Sequence, residues 1–137
     1  MKEASVWLLC GAIVIGASLA ISPREASAIP QFKKEWDAIY MDDDSTDAAV
    51  VELTTAAKKA KCNVCHAGKS KKKRNAYGAE LSKLLKKTKD NKDVYKIKEA
   101  IEQVSEMHSV AGDDSSPTWG EVFASGTLPP DKEVDGE

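Results

Sequence analysis

The run Cys62-Asn63-Val64-Cys65-His66 is the feature that most constrains this chain. Two cysteines three positions apart on a helical turn present both sulfur atoms on one side, and the imidazole that follows reaches the same side. In this arrangement each sulfur can form a thioether with a vinyl group of a haem, and the imidazole can bind the iron. The run therefore predicts that one haem c is attached covalently to Cys62 and Cys65, with His66 as an iron ligand. Below, residues 62–66 are called the haem motif.

Two other kinds of site contain a Cys-x-x-Cys pair. A zinc site needs two further Cys or His ligands, and beyond the motif the sequence after residue 28 offers only His108. A thioredoxin-like redox pair lies among β-strands, whereas no segment of this chain has the alternation typical of a strand. The sequence therefore favours haem attachment over both, and a disulfide framework is not expected.

The N-terminal residues have the pattern of a secretory signal. The apolar stretch from Val6 to Ile21 contains Cys10, and it is followed by Ala26-Ser27-Ala28, a small-x-small pattern of the kind that signal peptidases cut. The stretch is short for a membrane-spanning helix. We therefore predict a signal peptide at residues 1–28 and export to the periplasm or another extracytoplasmic space. The alternative is an uncleaved anchor, since Glu3 weakens the positive charge at the start.

Apolar residues at helical spacing predict an all-α fold. A short helix is expected from residue 31 to residue 40, and a second, alanine-rich helix begins after Thr46 or Asp47 and runs into the haem motif. Two longer helices and a last short helical turn, begun by Pro117 and Thr118, follow the motif. The apolar positions that carry these predictions are Phe32, Trp36, Ile39 and Tyr40; Ala48, Val51, Leu53 and Ala57; Tyr77, Leu81, Leu84 and Leu85; Val94, Ile97, Ile101 and Val104; and Trp119, Val122 and Phe123.

Charge is distributed unevenly along the chain, although the formal net charge is only −2. Residues 58–98 carry fifteen Lys and Arg against three Asp and Glu, whereas residues 99–137 carry ten acids against one base. One interpretation is that helix faces are simply solvated. The other is that a basic face docks an acidic partner. Nucleic acid is a weaker candidate, because the basic segment has no interleaved aromatic residues.

Three further runs support a resemblance to a family. Together with Ala60-Lys61 and the haem motif, the runs Asn75-Ala76-Tyr77-Gly78, Ser116-Pro117-Thr118-Trp119-Gly120-Glu121 and Gly126-Thr127-Leu128-Pro129 resemble small exported monohaem cytochromes c, class I-like and of the type found in planctomycete bacteria. The resemblance covers nearly all of the chain after residue 28. It implies that residues 29–137 are a cytochrome c-like domain that wraps one haem, with an N-terminal extension at 29–45 and a polar tail at 126–137.

The sixth iron ligand is left open by the motif. Cytochromes of this class usually carry a methionine well downstream, which points to Met107, 41 residues after His66, whereas Met41 lies 25 residues before it. Helical phase points instead to His108 if the helix that begins near Val94 continues unbroken. If that helix unwinds near Ser105, Met107 can turn inward. We predict Met107 as the ligand, with His108 or an open position as alternatives.

The resemblance implies electron transfer outside the cytoplasm by a haem iron that cycles between ferrous and ferric states, without catalytic residues. The basic loop from Lys69 to Arg74 directly follows the motif, so we expect it to steer an acidic redox partner. Two alternatives stay open. One is a haem subunit of a larger redox complex, and the other is a gas-binding or peroxidase-like haem protein with an open sixth position.

Overall fold

The computed structural model describes residues 30–134, so the predicted signal peptide with Cys10 and the last three residues of the tail lie outside the described residues. Six α-helices and one 3₁₀ turn make up its regular structure: α1 Pro30–Tyr40, α2 Ala48–Ala60, the 3₁₀ turn Lys61–Val64, α3 Ala76–Leu84, α4 Lys87–Asp90, α5 Val94–Ser105 and α6 Trp119–Ala124. Residues 30–134 contain no strand, only two isolated β-bridges. The all-α prediction is confirmed at this level.

Side-chain caps explain where the helices begin. The Asp47 side chain accepts hydrogen bonds from the amides of Ala49 and Val50, as predicted for α2. Thr118 and Glu121 form a reciprocal capping box at the start of α6, in which each side chain bonds the other residue's backbone amide. Each cap satisfies backbone donors that have no partner within the helix. The sequence therefore fixes these helix starts locally.

Aromatic side chains form the centre of the core. The Phe123 ring lies 5.3 Å from Trp36 and 5.0 Å from Tyr77, both edge-on, and 4.7 Å from Tyr40, between ring centroids. Trp119 packs against Tyr77 at 5.5 Å. Edge-to-face contacts of this kind add to the stabilisation from burial. Although aromatic residues make up only 6% of the chain, five of the eight form one cluster that joins α1, α3 and α6.

Helix α5 presents one apolar face to the rest of the molecule. Ile97, Ile101 and Val104 are at most 1% exposed, and the helix packs against α1, α3 and α6. Val94, predicted on the same face, is the first residue of the helix and is 40% exposed. No helix among residues 30–134 is long and apolar enough to cross a membrane.

Both ends of the described chain pack onto the body. In the N-terminal segment Trp36 is 1% exposed within the core. Near the C-terminus, the Asp131 carboxylate accepts a hydrogen bond from the Gly68 amide (2.7 Å), and the Val134 amide donates to the Arg74 carbonyl (3.1 Å). The described part of the predicted extension and of the predicted polar tail therefore belongs to the folded unit, and the tail contacts the loop that follows the haem motif.

Candidate haem site

A cavity of about 810 Å³ opens between α1, the end of α2, the haem motif and α3. This volume falls within the range of small-molecule and cofactor sites. Its apolar lining consists of Pro30, Phe32, Met41, Ala57, Gly78, Leu81 and Leu85. Cys62, Cys65 and His66 line the same cavity, so the structure brings these three predicted site residues together on one wall.

The motif presents both cysteines to the cavity because it folds as a tight turn. The 3₁₀ turn Lys61–Val64 continues into Cys65, whose amide donates to the Cys62 carbonyl at 3.2 Å, and the His66 amide donates to the same oxygen at 3.1 Å. The sequence argument requires such a turn, with the sulfurs three positions apart on one side. Both cysteines are free thiols and half-buried.

An unusual backbone conformation lies directly before the first cysteine. Lys61, the residue after the end of α2, has φ 53° and ψ −115°, and it is the only non-glycine residue among 30–134 with positive φ. L-residues adopt this region at a cost of about 1–3 kcal/mol. The conformation turns the chain sharply between α2 and the 3₁₀ turn, and this change of direction sets how Cys62 meets the cavity.

The His66 ring is oriented by the loop that follows it. Its Nδ1 lies 3.1 Å from the Lys73 carbonyl oxygen. Since a carbonyl oxygen only accepts, Nδ1 carries the proton and the lone pair is on Nε2, the atom that is left to bind a metal. Burial lowers the pKa of His66, and the nearby Lys71 and Arg74 lower it further, while the bond to Lys73 acts in the opposite direction. These influences together favour the neutral imidazole.

The environment of Cys65 disfavours a reactive thiolate. Burial raises the pKa of its thiol to about 12, and the nearby Lys33 offsets this only in part. Cys65 is therefore held as the neutral thiol.

Asn75 and Gly78 hold α3 against the motif. The fully buried Asn75 side chain accepts from the Gly78 amide (2.9 Å) and donates to the carbonyls of Asn63 (3.2 Å) and Val64 (3.0 Å). One side chain thus caps a helix and satisfies two carbonyls of the motif. At Gly78 the backbone lies so close to Cys65 that a β-carbon would overlap the Cys65 carbonyl oxygen. In the sequence, the run from Asn75 to Gly78 supports only the family resemblance, and its role in holding α3 against the haem motif was not predicted.

Positive charge is concentrated along the lining of the cavity, and most of the basic side chains there are exposed. Eight basic residues line it against one acid, Asp37, which is ion-paired with Lys33. The basic residues are Lys33, Lys34, Lys58, Lys61, Lys71, Lys72, Arg74 and Lys87. Below, this set is called the basic rim. It includes part of the predicted Lys69 to Arg74 loop, and α1 and α2 contribute three of the eight residues. The two lysines of α1, Lys33 and Lys34, lie outside the basic segment 58–98, so charge counting along the sequence could not place them here.

The two candidates for a sixth ligand lie elsewhere. Met107 and His108 are not among the residues that line the cavity. Met107 is 37% exposed and its carbonyl accepts from the Trp119 amide at 2.9 Å, while His108 Nδ1 lies 2.5 Å from the Ser116 carbonyl oxygen. Helix α5 does end at Ser105, as one alternative assumed, yet the residues beyond it pack against the start of α6. Iron binding by either residue stays a prediction that requires these contacts to open.

Within residues 30–134, no group of three or more His, Cys, Asp or Glu side chains is placed to hold a metal ion. A haem iron takes its equatorial ligands from the porphyrin and needs only axial ligands from the protein. Comparisons of the chain with protein-family models, curated proteins and solved structures gave no match. Function is therefore inferred from the residues of this chain.

Proposed function

We propose that this chain is an extracytoplasmic electron-transfer protein that carries one haem c, attached through Cys62 and Cys65, with His66 as an axial ligand of the iron. One observation carries the proposal: both cysteines and the histidine line a single cavity of about 810 Å³ with apolar walls. An exported protein with this motif and this cavity has the two features that a covalently bound haem requires, a pair of attachment points and an apolar space beside them.

The donor set fits a haem. Two free thiols on one turn can each form a thioether, and a neutral imidazole with its proton on Nδ1 leaves Nε2 for iron. The basic rim would supply cations to pair with the two propionate groups of a haem. When bound, the haem supplies an iron that gains and loses one electron.

The residues of the chain then set the properties of that iron. The Lys73 carbonyl, by accepting from His66 Nδ1, fixes the ring orientation and raises the basicity of the ligand. The apolar wall formed by Phe32, Leu81 and Leu85 limits the access of water, which is one of the factors that tune a haem potential. Neither role requires an acid or base that acts on a substrate.

Electron carriage is favoured over a peroxidase-like reaction by the position of His108. Peroxide chemistry at a haem needs an acid-base group beside the iron, and His108 is the only histidine besides His66. It does not line the cavity, and it is bonded to the Ser116 carbonyl. A haem subunit of a larger redox complex stays the second candidate, since the basic rim would serve a permanent neighbour as well as a passing one.

The basic rim indicates the charge expected on the surface of a redox partner. Cations grouped along one cavity attract an acidic surface and would orient it toward a haem bound there, which raises the rate of encounter more than the affinity. We therefore propose redox partners with acidic docking surfaces. Export is proposed on the signal pattern at residues 1–28.

The test is expression of the full chain in a bacterium that assembles c-type cytochromes, followed by fractionation, mass spectrometry and visible spectra of both redox states. We expect an exported protein that carries one haem resistant to denaturation. The variants Cys62→Ala and Cys65→Ala should each leave a single thioether and lose haem yield, whereas Cys10→Ala is the matched control and should load normally after cleavage. An exported protein without haem, or one that binds zinc instead, would overturn the proposal.

A further inference from the structure

Of the two methionines within residues 30–134, Met41 lines the cavity and Met107 does not. It directly follows α1, and its amide donates to the Asp37 carbonyl at 2.9 Å, so it continues the helical path for one more residue. Lys33, Asp37 and Met41 are four positions apart and all line the cavity, which places Met41 at the end of the α1 face that forms this wall. The thioether therefore belongs to the same site as Cys62, Cys65 and His66.

The position of Met41 is fixed by the fold. The amide of the next residue, Asp42, donates to Thr54 Oγ1 at 3.3 Å, and Thr54 is buried on α2 at 5% exposure. The Met41 side chain is half-buried and packs against the hydrophobic core. The amides of Met41 and Asp42 thus tie this segment to α1 and α2, two helices that form the cavity.

The other lining residues are poorer ligands for a haem iron. Lysine binds metals only after its ammonium group loses a proton, since the charged form has no lone pair. Asp37 is already paired with Lys33. A methionine thioether is neutral and soft, and it is a common axial partner of histidine on a haem iron. Of the cavity-lining residues other than the motif, Met41 alone offers such a donor.

The alternatives from the sequence are held apart from the cavity by several bonds. Besides the contacts of Met107 with Trp119 and of His108 with Ser116, the Ser109 amide donates to the Pro117 carbonyl at 2.9 Å. The Thr118 cap of α6 lies in the same stretch. To reach the cavity, residues 107–109 would have to give up these bonds, whereas Met41 already lines it.

We propose that Met41 is the sixth ligand of the haem iron. The proposal rests on the proposed function, because it requires a haem attached at Cys62 and Cys65. It assigns the segment before α2 to the haem site, so that the ligand comes from the N-terminal side of the motif instead of the C-terminal side. The thioether would raise the reduction potential relative to a second imidazole.

The test uses the haem-loaded protein and its variants Met41→Leu, Met107→Leu and His108→Gln. Three readouts apply: the weak near-red band of ferric haem that reports an iron–sulfur bond, binding of carbon monoxide to the ferrous form, and the reduction potential. We expect the band in the unchanged protein, in Met107→Leu and in His108→Gln. In Met41→Leu we expect loss of the band, gain of carbon monoxide binding and a lower potential.

The outcomes separate the two proposals. A protein without haem overturns the proposed function, whereas a haem protein whose band is lost in Met107→Leu, or that never shows the band, overturns Met41 alone. If Met41→Leu fails to load haem, Met107→Leu still decides, because Met1, Met41 and Met107 are the only methionines of the chain and Met1 lies in the predicted signal. If Met107→Leu keeps the near-red band after the signal with Met1 is cleaved, Met41 is the methionine that binds the iron.

Discussion

Gly78 lies with its backbone against the carbonyl of Cys65, so closely that no β-carbon fits between them. Glycine within a helix normally costs about 1 kcal/mol relative to alanine. The absence of a β-carbon at Gly78 offsets this cost, because it lets α3 approach the turn that carries both cysteines. We expect Gly78→Ala to lower the free energy of unfolding of the haem-loaded protein by about 3 kcal/mol, since overlap with a backbone atom cannot be relieved by a rotamer change.

Guanidinium unfolding followed by circular dichroism measures this effect, together with the yield of attached haem. Gly120→Ala is the matched control, because a β-carbon there would come 3.2 Å from the Ser105 carbonyl oxygen, a contact that a small shift relieves. If Gly78→Ala were as stable as Gly120→Ala, the close approach of α3 to the motif would be wrong.

Asn75 connects the motif to α3 by three side-chain hydrogen bonds. Asn75→Ala should lower the free energy of unfolding by about 2–4 kcal/mol, because it removes a cap and leaves two motif carbonyls without this partner. Asn75→Asp keeps an acceptor for the cap but cannot donate to the carbonyls, so we expect it to restore little of that loss. Asp47→Ala removes only a cap, on α2, and should cost about 1 kcal/mol in the same unfolding assay. Equal losses for Asn75→Ala and Asp47→Ala would contradict the role of the two motif bonds.

Local signals in the sequence were enough to predict five of the six α-helices within residues 30–134. The spacing of Ile97, Ile101 and Val104 and the caps Asp47 and Thr118 depend on near neighbours, and the structure has these helices where the pattern predicts them. The short helix α4, Lys87–Asp90, was missed because its four residues have no apolar periodicity.

Contacts between distant segments could not be predicted in this way. Asp131 bonds Gly68 from 63 positions away, so nothing near residue 131 indicates that the polar tail packs on the motif loop. The placement of Met41 on the cavity wall likewise depends on how α1 packs in three dimensions. The resemblance favours Met107, because cytochromes of that class usually carry the methionine well downstream of the motif. Position along the chain does not indicate which face of the fold a residue reaches.

The strained backbone at Lys61 predicts that a glycine there stabilises the protein, whereas glycine within a helix usually destabilises it. Because φ 53° and ψ −115° suit glycine, Lys61→Gly should raise the free energy of unfolding by about 1 kcal/mol. Lys59, two residues earlier, is exposed within α2, and Lys59→Gly should instead lower it by about 0.5–1 kcal/mol. Denaturant midpoints of the two haem-loaded variants check this pair. A loss in Lys61→Gly that equals the loss in Lys59→Gly would show that the conformation at Lys61 is unstrained.

The basic rim predicts how the rate of electron transfer depends on charge. Lys72 is exposed and lines the cavity, whereas Lys92 is exposed and does not line it. The variants Lys72→Glu and Lys92→Glu change the net charge equally, so a difference between them reports position alone.

For oxidation of the ferrous protein by ferricyanide, a small anion, we expect Lys72→Glu to slow the second-order rate at low salt by roughly two- to five-fold and Lys92→Glu to slow it less. At high salt the three proteins should converge, because screening removes the long-range attraction. Equal slowing by the two substitutions would mean that ferricyanide responds to net charge and that the rim does not mark the route of electron transfer.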